Sequence, residues 1–208
     1  METIAHWIPA SRQVMQDSAS FAAYINSRML FLLKQAEEDE LLNGSGSGNH
    51  LSGLITRADI FDTGYSNVDT MIDVLRKAIG QVYRVSKLPA TGIVLNPDDW
   101  QTIQLTKESG RGISSGQYNF SDPQSAGVPR LWGLPVVECD SMAASQFLVG
   151  AFNAGAAIWD RADATIEVSR EHDDFFIRNT VAILAEERLA LTVYRPSAFV
   201  FGGFPFGS

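Results

Sequence analysis

Residues 18–42 carry the strongest structural signal in the sequence, a continuous apolar stripe with helical spacing. Its apolar side chains recur about every 3.6 residues, at Phe21, Ile25, Met29, Leu32 and Ala36. Asp17 is placed to cap the start of a helix, and Gly44 stands where a glycine commonly follows a helix end. At ~1.5 Å per residue this helix is ~37 Å long, so any fold for the chain must bury one side of a long rod.

Composition excludes several classes of protein. The 208 residues include 16 Lys and Arg against 24 Asp and Glu, a net charge of −8, which disfavours a free nucleic-acid-binding protein. Only 19% of the residues are charged, which argues against intrinsic disorder. The single cysteine, Cys139, excludes an internal disulfide and is interpreted as a small buried side chain. No signal peptide or bilayer-spanning run is recognisable, so a reducing cytoplasm is the default location.

The middle of the chain predicts a helix, a strand and a second helix. An amphipathic pattern covers residues 68–85, and Gly92–Leu95 is a short buried strand. Asn96 followed by Pro97 starts the next helix. Residues 108–130 are rich in Gly, Ser and Pro and predict a long loop.

The second half of the chain predicts strands. The shorter ones lie at residues 132–137, 147–152, 164–169 and 199–201. In residues 180–194 the odd positions are apolar except for Glu187, which favours a long strand, although the Ala, Leu and Glu content also suits a helix. Pro196 prevents a helix from continuing, so we predict a strand.

A run of glycine and serine follows the long helix at residues 43–49. Its composition predicts a flexible turn. It is not a phosphate-binding loop, because it follows a helix rather than a strand and no Lys-Ser/Thr pair closes it. The acidic residues 37–40 just before it are interpreted as a solvated turn, the alternative being a basic partner on a neighbouring chain.

No motif identifies an enzyme or a metal site. His6, His50 and His172 lie in unrelated segments, and the sequence lacks the His-Glu-x-x-His and Ser-His-Asp patterns. The segment that begins at His172 reads as a polar turn rather than a metal site. A small acid–base enzyme using Glu186, Glu187 or His172 stays as an alternative from a different functional class.

Motifs in a specific order extend over nearly all of the chain. They are Ser11-Arg12-Gln13-Val14 with Leu41-Leu42-Asn43-Gly44, Gly92-Ile93-Val94-Leu95-Asn96-Pro97 with Asp99-Trp100, Trp132-Gly133-Leu134-Pro135-Val136-Val137, and Trp159-Asp160-Arg161 with Val168-Ser169-Arg170-Glu171, Glu186-Glu187-Arg188-Leu189-Ala190-Leu191 and Tyr194-Arg195-Pro196. In their order and spacing these motifs resemble the major capsid proteins of tailed bacteriophages and prophages, which have the Hong Kong 97-type fold.

The resemblance implies an α+β fold with a long spine helix, a mixed α/β axial domain and a β-rich peripheral domain. Residues 1–10 then match the return strand of an extended hairpin loop, and residues 11–53 the peripheral domain with its spine helix at about 18–42. Residues 54–155 match the axial domain, and residues 156–208 the peripheral strands and C-terminal tail. The family's N-terminal arm and most of its hairpin loop have no counterpart, so we expect that this chain alone does not close a stable shell.

The implied function is structural rather than enzymatic. The resemblance implies a subunit of an icosahedral phage or prophage shell, assembling as hexamers and pentamers around packaged double-stranded DNA, with no cofactor and no metal. Its implied partners are copies of itself in capsomers, with a portal, a scaffold and a maturation protease, and it encloses DNA without sequence-specific binding and contacts no membrane. The implied location is the virion, after assembly in the bacterial host cytoplasm. An encapsulin-like nanocompartment shell, which encloses enzyme cargo, is the alternative with the same fold.

Asn179 and Glu186 match the family positions for an autocatalytic crosslink. In some members a hairpin-loop lysine joins an asparagine side chain, with a glutamate as the base. Seven residues along a strand span ~23 Å with opposite side-chain parity, so the two residues cannot meet within one subunit. The reaction must be assembled between chains, with a lysine donor from the hairpin. The competing interpretation is that Glu186, Glu187 and Arg188 form structural ion pairs.

Overall fold

The computed structural model describes residues 2–13, 19–62, 64, 69–106, 129–171 and 175–204. Its helices are α1 (Ala19–Asn43), α2 (Leu54–Arg57), α3 (Met71–Ser86), α4 (Pro97–Leu105), α5 (Phe152–Gly155) and α6 (Phe175–Arg178). Its strands are β1 (Glu2–Ser11), β2 (Asp59–Ile60), β3 (Gly92–Leu95), β4 (Arg130–Leu131), β5 (Leu134–Glu138), β6 (Gln146–Gly150), β7 (Ala156–Ser169), β8 (Thr180–Val193) and β9 (Phe199–Gly203).

The chain divides into two compact units, each made of two separate segments. The first unit comprises Met1–Thr56 and Ile158–Thr192, and the second comprises Arg57–Ala157 and Val193–Ser208. The sequence interpretation grouped all of residues 156–208 together, and the structure differs. Strand β9 pairs with β2 and β6, so the chain after β8 belongs to the second unit.

The first unit is a three-stranded sheet, β1-β8-β7, with helix α1 packed on one face. Strand β1 runs antiparallel to β8 along its whole length. The odd-numbered residues of β8 face the helix, and this core contains Ile25, Met29, Leu33, Val181, Ile183 and Ala185. The period-two pattern therefore identified β8 correctly, and the long strand prediction is confirmed. The buried helix stripe runs through Leu33 rather than Leu32, because buried positions follow four-residue steps from Ile25.

The glycine-rich segment after α1 forms a closed loop held by backbone hydrogen bonds. The Gly46 amide donates to the Leu51 carbonyl at 2.8 Å, and the Gly53 amide donates to the Gly44 carbonyl at 2.9 Å. A β-bridge joins Ser45 to Ser52. The flexible turn predicted from composition is therefore a backbone-paired structure, and Gly44 and Gly53 are buried where it closes.

The last acidic residue of α1 has partners within its own unit. The Glu40 carboxylate accepts from the Leu51 amide at 3.0 Å and lies 2.6 Å from Nδ1 of His50. This carboxylate raises the pKa of His50, so the imidazolium persists to higher pH than in a free histidine. Glu40 therefore needs no basic partner from a neighbouring chain, and it helps to fix the loop that follows the helix.

The second unit is a six-stranded sheet with the order β2-β9-β6-β3-β5-β4. Helix α3 packs on it, and its start is set by a capping box between Thr70 and Asp73, slightly later than the predicted residue 68. Helix α4 starts as predicted, because the Asn96 side chain accepts from the Asp98 amide at 2.9 Å. Phe147 is fully buried at the centre of this unit's core.

Several predicted strands differ in their bounds. The segment predicted as one strand at residues 132–137 is a turn followed by β5, and the strand predicted at 147–152 ends at Gly150 because Phe152 starts α5. Strand β7 begins eight residues before the predicted start at Ala164. The predicted loop at 108–130 lies mostly outside the described residues, and its last residue belongs to β4.

A two-residue turn joins β4 to β5 and has an unusual residue in it. Leu131 pairs with Leu134, and the two residues between them, Trp132 and Gly133, have φ angles of 54° and 81°. Positive φ at both positions defines the type I′ hairpin turn, which favours Asn-Gly. A left-handed conformation costs a bulky L-residue roughly 1–2 kcal/mol, so Trp132 does not serve the turn itself.

Candidate functional site

Glu186 and Glu187 lie side by side in β8 and project to opposite faces of the first unit's sheet. Glu186 is opposite Ala5 of β1, and Glu187 is opposite Ile4. Because Ile4 and the odd-numbered residues of β8 pack towards α1, Glu187 faces the helix and Glu186 faces away from it. The two carboxylates therefore cannot act as one acid–base pair, which removes the basis of the small-enzyme hypothesis at these positions.

Glu187 is a buried carboxylate with an exposed cation beside it. Its side chain is 4% exposed, and Nζ of Lys34 lies 3.4 Å from Oε2. The same Nζ lies 2.7 Å from Oε2 of Glu37, so one ammonium serves two carboxylates. Within the described part of the chain, Oε1 of Glu187 has no hydrogen-bond partner. Burial raises the pKa of Glu187, and the Glu37 carboxylate raises it further, against the opposing effect of Lys34.

Glu186 is half-buried next to an apolar strip on the other face. Trp7 and Leu184 are opposite each other in the β1–β8 register, two residues along from the Ala5–Glu186 pair, and therefore on the same face as Glu186. Trp7 is half-exposed, and its ring centroid lies 6.5 Å from that of Phe175. Another chain that covered this strip would remove water from around the Glu186 carboxylate.

Asn179 lies at the junction between α6 and β8. It has a φ of 55°, a left-handed conformation that asparagine tolerates better than most residues. Its carbonyl accepts from the Arg12 amide at 3.0 Å, which fixes the backbone, while the residue itself is exposed. The side-chain amide is thus accessible to a group from another chain. The structure does not bring Asn179 and Glu186 together, because β8 separates them by ~23 Å of extended strand.

The remaining candidates do not form a site in the described residues. Cys139 is buried, and its amide donates to the Leu95 carbonyl at 2.9 Å, which fits the predicted small buried side chain. His6 lies in β1, and His172 falls outside the described residues. Across the described ranges, no group of three His, Cys, Asp or Glu side chains could hold a metal ion. The helices described here include none that is long and apolar enough to cross a membrane.

Sequence reasoning missed Lys34 as the partner of Glu187. The two residues are 153 positions apart, so no local pattern connects them. Part of the signal was present, because Lys34 and Glu37 have the i, i+3 spacing at which helical side chains meet. An ion pair was predicted for the segment Glu186-Glu187-Arg188. The structure shows one for Glu187, and its partner, Lys34, lies in α1.

Comparison with known proteins identifies the family. A model of the phage capsid family matches residues 1–204. The chain belongs to the phage capsid family. Among similar proteins, the major capsid protein of Enterobacteria phage HK97 is 47% identical to this capsid-family chain over 209 residues. That match covers 100% of this chain and 53% of the HK97 protein, so the chain spans about half the length of the curated relative that it matches.

Solved structures share the fold of this capsid-family chain. The capsid of an empty GTA particle is 20% identical and superposes with a TM-score of 0.74, over 98% of this chain and 73% of the GTA chain. A structure from Mycobacterium phage Bobi is 15% identical with a TM-score of 0.74, over 100% of this chain and 72% of the other. The predicted α+β fold of the Hong Kong 97 type is thereby confirmed.

Proposed function

We propose that this chain is a structural subunit of a phage or prophage shell, which assembles as hexamers and pentamers around packaged double-stranded DNA. The main support for this proposal is the match of residues 1–204 to the phage capsid family. The 47% identity to a phage major capsid protein supports a phage shell over a nanocompartment. In this proposal the shell is part of the virion and is assembled in the host cytoplasm, with a portal, a scaffold and a maturation protease as the further partners.

Exposed apolar side chains support a subunit with many neighbours. Phe176 and Ile177 in α6 are 82% and 86% exposed, and Trp159 in β7 is also exposed. Large apolar side chains in such positions are typical of surfaces that other proteins cover. The charge supports a container rather than a DNA-binding protein, because a net charge of −8 gives little attraction to phosphate.

Self-assembly is the direct test of the structural role. We expect sedimentation velocity of the purified chain to show concentration-dependent oligomers, and negative-stain microscopy to show rings of five or six subunits. A double variant, Phe176→Ser with Ile177→Ser, should shift the distribution towards monomer while keeping the melting temperature, because both side chains are exposed. A chain that stays monomeric at all concentrations up to about 100 µM, well above a typical interface Kd, would contradict the structural role.

We further propose that Asn179 and Glu186 take part in a covalent crosslink between subunits. A lysine amine of one subunit attacks Cγ of Asn179 in a second, forming an amide bond and releasing ammonia. Glu186 of a subunit other than the one that carries the reacting Asn179 accepts the proton that the lysine ammonium must lose, and a proton is returned to the leaving ammonia. The exposure of Asn179 supports its role as the acceptor, because another chain can reach its side chain. Glu186 lies beside the apolar strip of Trp7 and Leu184, a surface that another chain can cover.

The crosslink predicts a ladder of covalent oligomers on denaturing gels of shells assembled from the full-length protein, which includes the hairpin-loop lysine. Asn179→Ala and Glu186→Gln should each abolish the ladder, and mass spectrometry should show the loss of one ammonia per bond. Glu167→Gln, an exposed carboxylate of β7, is the matched control and should leave the ladder intact. Monomer bands alone from full-length wild-type shells, or a ladder that survives Glu186→Gln, would assign Glu186 a structural role instead.

A further inference from the structure

The hairpin turn between β4 and β5 places a tryptophan where the backbone favours asparagine. Trp132 has a φ of 54° and is 55% exposed. Neither burial nor the turn geometry explains this residue, because a type I′ turn is best made by Asn-Gly. Bulky residues held at positive φ are outliers that commonly mark functional positions.

The indole of Trp132 contacts α3 through a hydrogen bond and an arginine. Its Nε1 donates to the Ile72 carbonyl at 3.4 Å, and the guanidinium carbon of Arg76 lies 5.9 Å from the ring centroid. Both contacts favour one orientation of the ring, which lowers the entropic cost of its binding to a partner. About half of the side chain stays open to solvent.

One exposed arginine lies beside the ring, and a second is close to Trp132 in the sequence. Arg76 lies beside the ring, and Arg130 lies in β4, two residues before Trp132 and at the edge of the six-stranded sheet. In the part of the chain that the structure describes, neither guanidinium has a carboxylate within ion-pair distance. A basic aromatic patch with unpaired guanidinium groups has the side-chain types that are enriched at the centres of protein interfaces.

The distribution of charge along the chain indicates which binding partner is complementary to this patch. The first unit has 14 acidic and seven basic residues, so most of the net negative charge of the protein lies there. Arginines paired with carboxylates around a buried tryptophan give both electrostatic complementarity and apolar burial. A second copy of the chain has this excess of acidic residues in its first unit.

We propose that the Trp132 patch, defined as Trp132, Arg76 and Arg130, docks on the acidic first unit of a second copy of this chain. The inference rests on the proposed shell function and adds the surface through which copies meet. Trp132 buries its free ring face in the contact, and the two guanidinium groups pair with carboxylates of the other copy.

The test separates turn stability from association. Trp132→Asn introduces the residue that the turn favours, so the melting temperature of this variant should equal or exceed that of the wild type. Its self-association, measured by sedimentation as a function of concentration, should weaken by at least about tenfold. Tyr83→Ser is the matched control. It removes an exposed aromatic side chain of α3 outside the patch and should leave association unchanged.

A second variant keeps the test independent of the turn. The double variant Arg76→Gln with Arg130→Gln changes only exposed side chains, and it should weaken association and flatten its dependence on salt between about 50 and 300 mM. Wild-type association with both variants unaffected would overturn the patch and leave the shell function standing. A wild-type chain without self-association would contradict both proposals. Binding of a 30-base-pair DNA duplex that these variants abolish would assign the patch to nucleic acid instead.

Discussion

Gly44→Ala is expected to destabilise the protein by about 3 kcal/mol, at the upper end for added volume at a closely packed site. A methyl group on Gly44 would lie 2.5 Å from the Glu40 carbonyl oxygen and even closer to that of Leu51. Both obstacles are backbone atoms in hydrogen-bonded structure, so neither can move without breaking the end of α1 or the loop that follows. Urea unfolding monitored by circular dichroism measures the change.

Gly80→Ala is the matched control for this prediction. Gly80 lies within α3, and a methyl group there meets no atom within 4 Å. Alanine in the middle of a helix is better than glycine by roughly 0.5–1 kcal/mol, so this variant should be more stable than the wild type. Wild-type stability of the Gly44→Ala variant would show that the loop is not closed by the contact between Gly44 and Leu51.

Glu187→Leu should stabilise the protein by about 2 kcal/mol at pH 7. This is a large effect, and its sign is unusual because most core substitutions are destabilising. The carboxylate is buried between β8 and α1, and one of its oxygens has no hydrogen-bond partner in the described residues. Its cation, Lys34, is well exposed and is shared with Glu37, so it offsets only part of the desolvation cost. Leucine removes that cost and adds apolar contact beside Ala185 and Leu189.

The pH dependence identifies the cause of this stabilisation. Burial raises the pKa of Glu187 above its ordinary value of 4.5, so the folded state binds the proton more tightly than the unfolded chain. The protonated carboxyl therefore makes its full contribution to the free energy of unfolding below pH 4.5, and this contribution is lost as the pH rises through the raised pKa. The advantage of Glu187→Leu should thus be smaller at pH 4 than at pH 7, when melting temperatures are compared across that range.

Two variants control the Glu187 result. Glu187→Gln keeps the shape of the side chain and should give about half the stabilisation at pH 7, since it removes the charge without adding apolar contact. Glu167→Gln removes an exposed carboxylate and should change stability by less than about 0.5 kcal/mol. A less stable Glu187→Leu variant at pH 7 would mean that the pair with Lys34 outweighs the burial of the charge.

Elements whose burial is regular could be predicted from the sequence. Helix α1 and strand β8 each bury one face along most of their length, so their apolar side chains repeat with the period of the backbone. Asn96 and Pro97 identified the start of α4 because capping depends only on adjacent residues. These signals are local, and the structure confirms them.

Features that depend on distant contacts could not be predicted. Strand β7 is mostly exposed, so its first half has no alternation to detect. The pairing of β9 with β2 and β6 depends on residues far away in the sequence, and no pattern in the tail reveals it. For the candidate site, parity placed Glu187 on the apolar face of β8, but its burial against Lys34 required the packing of α1 to be known.

The pairing of β1 with β8 also determines when this protein can fold. Glu2 pairs with Leu189, so β1 has no partner until β8, much later in the sequence, has been synthesised. Until β8 has left the ribosome, the apolar side of α1 has no sheet to cover it, and β1 is an unpaired strand. Contacts of such long sequence separation slow folding and leave apolar surface exposed in folding intermediates. The growing chain is therefore most prone to aggregation before β8 has been synthesised.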